Sequence, residues 1–250
     1  MAAIPLRYQH WTYVWIPLAT AAMWFCMLWA MLIVWLASDR PRYKSDERIA
    51  YISDIGADVL KPLFITGCAI TGVGFFLCLV VERILRNSGR LLPNMRKRER
   101  VFSILAILGA LIGGAGLLFL SIFDIRRFSG AHHAFLIVFI VGVGLSAIFS
   151  IIEYSWISKE FPRYIHIKIA YIAKAIIATT LILLAIVFAV TFFKEHNVGA
   201  IIEWIIAFGF TFYILTFYYD LVQSKNMERG ELAARYGGQG SQTNVMTEIA

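Results

Sequence analysis

The chain has 250 residues, 60% of them hydrophobic and 16% charged, with a net charge of +7 and a mean hydropathy of +0.72. That composition excludes an ordinary water-soluble globular domain and places the chain among polytopic membrane proteins. The positive charge does not point to nucleic acid, since the sequence carries neither a binding fold nor an aromatic platform for it, and no nucleic-acid partner is expected.

Six apolar stretches, 14–37, 60–81, 101–123, 133–152, 169–193 and 199–219, are each long enough to cross a hydrocarbon core of ~30 Å. Together they fill 135 residues and leave no room for a soluble catalytic domain. The alternating pattern of an outer-membrane barrel is missing, so the expected fold class is all-α, a six-transmembrane-helix bundle. Residues 1–225 are expected to form one six-span domain. Residues 226–250, which run into GGQGSQTN, are expected to be a disordered cytosolic tail, because such a composition cannot bury a core.

The first span carries Trp11, Trp15, Trp24, Trp29 and Trp35. The outer indoles suit the two interfaces, whereas an indole N–H at mid-membrane, as at Trp24 and Trp29, wants a partner or close packing. The segment is too long for a cleaved signal peptide and is expected to stay as a span. Cys26, Cys68 and Cys78 all fall within spans, so they read as small apolar fillers and build neither a disulfide framework nor a zinc site.

The loop 38–59 ends in YISDIGAD, where Ser53 or Asp54 could cap a short helix. Asp54 and Asp58 would then share a face. Span two carries Gly67, Thr71 and Gly74, and span three carries Gly109 and Gly113 at GxxxG spacing, which is tight-packing chemistry for helices in lipid.

The 82–100 loop holds seven Lys or Arg residues, with Arg96, Lys97, Arg98 and Arg100 clustered at its end. Such a cluster attracts anionic lipid and also sets orientation. Counting both sides gives 14 Lys and Arg on the side of this loop and eight on the other, which predicts that both termini are cytosolic.

From Asp124 to Glu153 the chain reads as a polar turn, the His132-His133 pair and then a helix with Gly142, Ser146 and Ser150 at four-residue spacing. The small residues read as a seam against a neighbouring helix. Lys174, inside span five, reads as a snorkelling side chain that reaches the aqueous surface.

In this topology Asp54, Asp58, Asp124, His132, His133, His196, Glu203 and Trp204 gather at the lumenal ends of the spans. Imidazole and carboxylate together suit either acid–base chemistry on a lipid or a hydrogen-bonded cluster that ties the lumenal loops. Adjacent His132 and His133 point about 100° apart on a helix, no His-x-x-x-His pair exists, and no metal or cofactor is expected. Glu203 opens span six and is expected to take His132 or His133 as its donor.

Four stretches taken in order resemble one known family: YISDIG before span two, the Asp124 turn, AHHAFLIVFI at the start of span four, and IEW leading through an aromatic span to Tyr219-Asp220. The chain resembles the DRAM/Frag/Sfk family of six-span membrane proteins. That family includes damage-regulated autophagy modulators, a yeast-type suppressor of phosphatidylinositol-kinase defects and proteins that remodel GPI-anchor lipids. The resemblance implies a six-helix bundle and marks Asp54, Gly56, His132, Phe135, Glu203 and Trp204 as family-motif positions.

Two functions follow as expectations. The first is a non-enzymatic membrane organiser that engages membrane lipids, in particular anionic phospholipid, and a cytosolic protein. The second is a lipid-remodelling enzyme or subunit acting on GPI-anchor or glycerolipid acyl chains at the lumenal face. The first is placed ahead because Ser53, Ser121 and Ser129, the serines near the cluster, sit in no motif that would activate them. The expected location is an endomembrane or the plasma membrane.

Overall fold

A computed structural model describes residues 10–41, 43, 48–92, 97–160, 165–225 and 229–236. Six long helices cross the expected membrane region: α1 (His10–Ala37), α3 (Lys61–Asn87), α4 (Lys97–Ile122), α5 (Ser129–Glu160), α6 (Ile165–Lys194) and α7 (His196–Val222). Two short helices accompany them, α2 (Ile52–Ile55) before α3 and α8 (Glu231–Tyr236) after α7. No strand occurs among the described residues, and the six-span all-α reading holds. The protein is an integral, multi-pass membrane protein.

Each span alternates in direction, so the bundle has two distinct ends. One carries the end of α3, the 88–92 turn, the start of α4 and α8, so that residues 82–87 and 97–100 of the expected loop are helical, and is called here the basic end. The other carries α2 and the 123–128 turn.

The core is aromatic and lies between α1, α3 and α7. Phe75 of α3 meets Phe210 and Phe217 of α7 edge-on, with ring centroids 5.5 and 5.9 Å apart. Trp24 of α1 packs on Phe210 and donates its indole N–H to the Ala207 carbonyl at 2.7 Å. A lone N–H at that depth would be expensive in lipid, and a backbone acceptor on the neighbouring helix removes the cost.

Glycines then set how closely the outer helices approach. A Cβ added at Gly142 of α5 would stand 2.5 Å from the Gly113 amide nitrogen of α4, and one at Gly109 would stand 2.9 Å from the Gly142 carbonyl oxygen. Gly72 of α3 and Gly114 of α4 face each other in the same way: a Cβ added at either would stand 2.8 to 2.9 Å from the other's carbonyl oxygen. Backbone-to-backbone packing of this kind is how helices associate where lipid gives no hydrophobic drive. The small-residue seam read from α5 is therefore a contact with α4.

Gly89, at a φ of 71°, ends α3 in the left-handed conformation that favours glycine. The chain turns back there, so that Leu91 and Leu92 are buried against the bundle. The Gly89 carbonyl accepts from the Gly230 amide at 2.9 Å, and Leu232 of α8 is buried beside it. Of the segment expected to be a tail, residues 229–236 thus form a turn and a helix, while 226–228 and 237–250 lie outside the described residues.

Candidate functional site

At the α2 end, three side chains of α7 hold the end of the long loop. Asn197 Oδ1 accepts from the amides of Arg48 and Ile49 at 2.7 and 3.3 Å. Glu203 Oε2 accepts from the Ile52 amide at 2.7 Å, and Trp204 Nε1 donates to the Ala50 carbonyl at 3.0 Å. The Ile52 amide is one of the first-turn donors that a helix leaves without an internal acceptor. Neither Ser53 nor Asp54 caps α2, since its N-cap is Tyr51 and no side chain of the helix does the work. Glu203 supplies from another helix the acceptor that was expected locally.

For Glu203 Oε2 one donor is that amide. His132 instead turns to the end of α4, where its Nδ1 lies 2.8 Å from the Leu120 carbonyl oxygen and 3.0 Å from that of Phe123. Carbonyls only accept, so Nδ1 carries the proton and donates to both, and a histidine satisfies the last-turn carbonyls of a helix. His133 packs edge-on against Phe192, with ring centroids 5.2 Å apart.

Asp124 is buried in the turn between α4 and α5. Its Oδ2 accepts from Lys61 Nζ at 2.6 Å and its Oδ1 from the Arg127 amide at 2.8 Å. Burial alone would raise its pKa, but the Lys61 and Arg127 bonds outweigh that and hold it below the ordinary 3.8. Its stabilising contribution is therefore present above the ordinary carboxylate value and is lost as the pH falls through the lower folded value.

The predicted constellation thus divides. Asp54, Glu203 and Trp204 come together around α2, and Asp124 and His132 around the end of α4. Asp58 is exposed and meets Arg126 at 3.4 Å, a surface pair worth little, and His196 is exposed at the start of α7. Among the described residues no three His, Cys, Asp or Glu side chains are grouped to hold a metal ion.

The basic end holds a second cluster, which sequence reasoning missed as a unit. Lys174 is fully buried, not snorkelling: its ammonium donates to Asp220 Oδ2 of α7 at 2.5 Å and lies 3.8 Å from the centre of the Phe217 ring. The Tyr154 ring stands between the two buried cations, 4.5 Å from Lys174 Nζ and 4.7 Å from the Arg86 guanidinium. Arg86 donates through Nε and a terminal nitrogen to Glu82 Oε1 at 3.0 and 2.9 Å, and through the other nitrogen to the Leu92 carbonyl at 2.9 Å. Glu153 of α5 lies 3.8 Å from Arg86 Nε.

Two cations and three carboxylates from α3, α5, α6 and α7 therefore meet out of water, covered by the 88–92 turn and α8. Their signal was present as isolated ionisable residues at span ends, because a charge inside a span usually pairs.

Outside this cluster, Lys97, Arg98 and Arg100 are exposed, with the Arg98 guanidinium 4.6 Å above the Trp156 ring, while Glu99 between them is buried. Arg96 lies outside the described residues.

The family model described as the Frag1/DRAM/Sfk1/Cwh43P N-terminal domain matches residues 12–224. The protein called sfk1 from Schizosaccharomyces pombe is 28% identical over 91% of this chain and 72% of its own length. The protein called SFK1 from Saccharomyces cerevisiae is 27% identical over 80% of this chain and 75% of its own length. No solved structure matches.

Proposed function

The chain belongs to the Frag1/DRAM/Sfk1/Cwh43P family of multi-pass membrane proteins, and from that premise we propose that it is a non-enzymatic organiser of anionic membrane lipid and a cytosolic partner. One observation carries this reading. At the α2 end the motif side chains Glu203, Trp204 and His132 bond backbone groups of α2, of the segment before it and of the end of α4. That is the work of residues that fix a fold. At the basic end, by contrast, Lys97, Arg98 and Arg100 present cationic heads to the surface on a frame held by buried ion pairs.

Orientation is part of the proposal. The 14 to eight division of Lys and Arg favours a cytosolic basic end, where anionic headgroups are concentrated. An impermeant maleimide should modify Lys97→Cys from the side on which a cytosolic marker is labelled, and Val59→Cys from the other side. The reverse pattern would overturn the topology.

Replacing Lys97, Arg98 and Arg100 together by Gln should weaken association of the protein with anionic vesicles by about 1 kcal/mol per charge and reduce its dependence on salt. Binding that stays unchanged, or that proves insensitive to salt and selective for one phosphoinositide isomer, would replace the screened-charge reading by a shaped pocket.

A second reading keeps one observation of its own. Glu203 also lines an apolar cavity, so a carboxylate stands beside a space fit for lipid, as a lipid-remodelling enzyme or subunit acting on GPI-anchor or glycerolipid acyl chains would need.

A further inference from the structure

The two glycines of α5 that stand two residues apart serve opposite ends. Gly142 is pressed against α4, whereas a Cβ added at Gly144 would meet nothing within 4 Å. Gly144 faces a cavity of about 480 Å³ between α5 and α6. Ala147 of α5 and Ala185 and Ala189 of α6 continue its walls, and Ala207 and Phe210 of α7 form its floor. Small residues facing one another leave the space open, and it falls in the range of about 300 to 1,000 Å³ typical of ligand pockets.

Three features identify the occupant. The walls are membrane-spanning helices, and the rim residues Ile137, Val141 and Ile186 are exposed, so the medium at the mouth is hydrocarbon. Along α7 the lining runs from Glu203 to Tyr213. At 1.5 Å per residue that is about 15 Å, one leaflet's share of a ~30 Å core.

We propose that this cleft holds an acyl chain of a membrane lipid, admitted sideways between α5 and α6 from the leaflet on the α2 side, with the polar end of the lipid at the level of Glu203. The site goes beyond the basic-end reading and stands whether or not that end binds anionic lipid.

The test uses the full chain in nanodiscs of phosphatidylcholine, doped with phosphatidylcholine bearing a photoreactive diazirine midway along one acyl chain. Cross-links mapped by mass spectrometry should concentrate on residues 140–148 of α5 and 181–189 of α6. They should exceed those at Val73 of α3 and Leu111 of α4, which are exposed on other faces.

Filling the cleft from either wall, with Gly144→Leu or separately Ala185→Phe, should reduce the cleft cross-links about tenfold, equivalent to about 1.4 kcal/mol of lost binding. Cross-links at Val73 and Leu111 should not change. Equal labelling of the cleft and the control faces in the unaltered protein would overturn the proposal, since it would mean surrounding lipid only. So would cleft labelling that survives both filling variants. The unaltered protein alone decides the first outcome, so a variant that failed to fold would not shield the proposal.

Discussion

Lys174→Met should lower the stability of the bundle by about 3 to 5 kcal/mol, because it leaves the buried Asp220 carboxylate without its cation. Methionine nearly conserves the volume and the unbranched stem, so the loss reports the charge rather than the packing. The double variant Lys174→Met with Asp220→Leu should recover much of that loss, since removing a whole buried pair is cheaper than stranding half of it. Thermal unfolding in detergent, analysed as a double-mutant cycle, reads both effects. A snorkelling lysine would behave differently. Its removal would cost well under about 1 kcal/mol, as exposed charges do, and the two changes would simply add.

Arg86→Met should be of similar size, about 3 to 5 kcal/mol, and should also have a local signature. The guanidinium joins Glu82 on its own helix to the Leu92 carbonyl, so its loss frees the turn that Gly89 starts. That turn in turn holds α8 through the Gly89 carbonyl and the Gly230 amide. Limited proteolysis should therefore cut between residues 88 and 92 sooner than in the unaltered protein. Arg86→Lys should cost less, because it keeps a cation for Glu82, but should still loosen the turn, because a compact ammonium lacks the guanidinium fork that reaches the Leu92 carbonyl. Unchanged cleavage in Arg86→Met would show that the 88–92 turn is held by its leucines alone.

The spans and their number were readable because length and apolarity alone decide what crosses lipid. The α4–α5 seam was readable for a related reason. Gly109, Gly113 and Gly142 are a local signal of close approach, and the structure brings them together. Which face a polar residue takes was not readable. The spans are apolar nearly all round, so no stripe tells an inward position from an outward one, and Lys174 near a span end looked free to reach water. Glu82, Arg86, Glu153, Lys174 and Asp220 come from four helices, and their meeting is a tertiary fact.

Glu203 illustrates the same limit. Its need for a donor followed from its place at the head of an apolar helix, and one donor is the Ile52 amide, which becomes available only when α2 forms against α7. His132 found carbonyls rather than a carboxylate because α4 ends beneath it. In both cases the residue type was the signal, and one partner is backbone that no side-chain pattern reveals.

We propose that the motif at the α2 end fixes the fold and does not turn over lipid, a role carried by Glu203, Trp204 and His132. It is tested most directly by measuring GPI-anchor, phosphoinositide and ceramide species in cells that lack the protein and are complemented with His132→Gln, His133→Gln or Glu203→Gln, with protein level and thermal stability measured alongside. Any change in lipid composition should track the loss of folded protein, so that a variant of normal abundance and stability restores the lipids fully. A variant with normal abundance and stability that leaves one lipid class unremodelled would contradict it and make that side chain part of an active site.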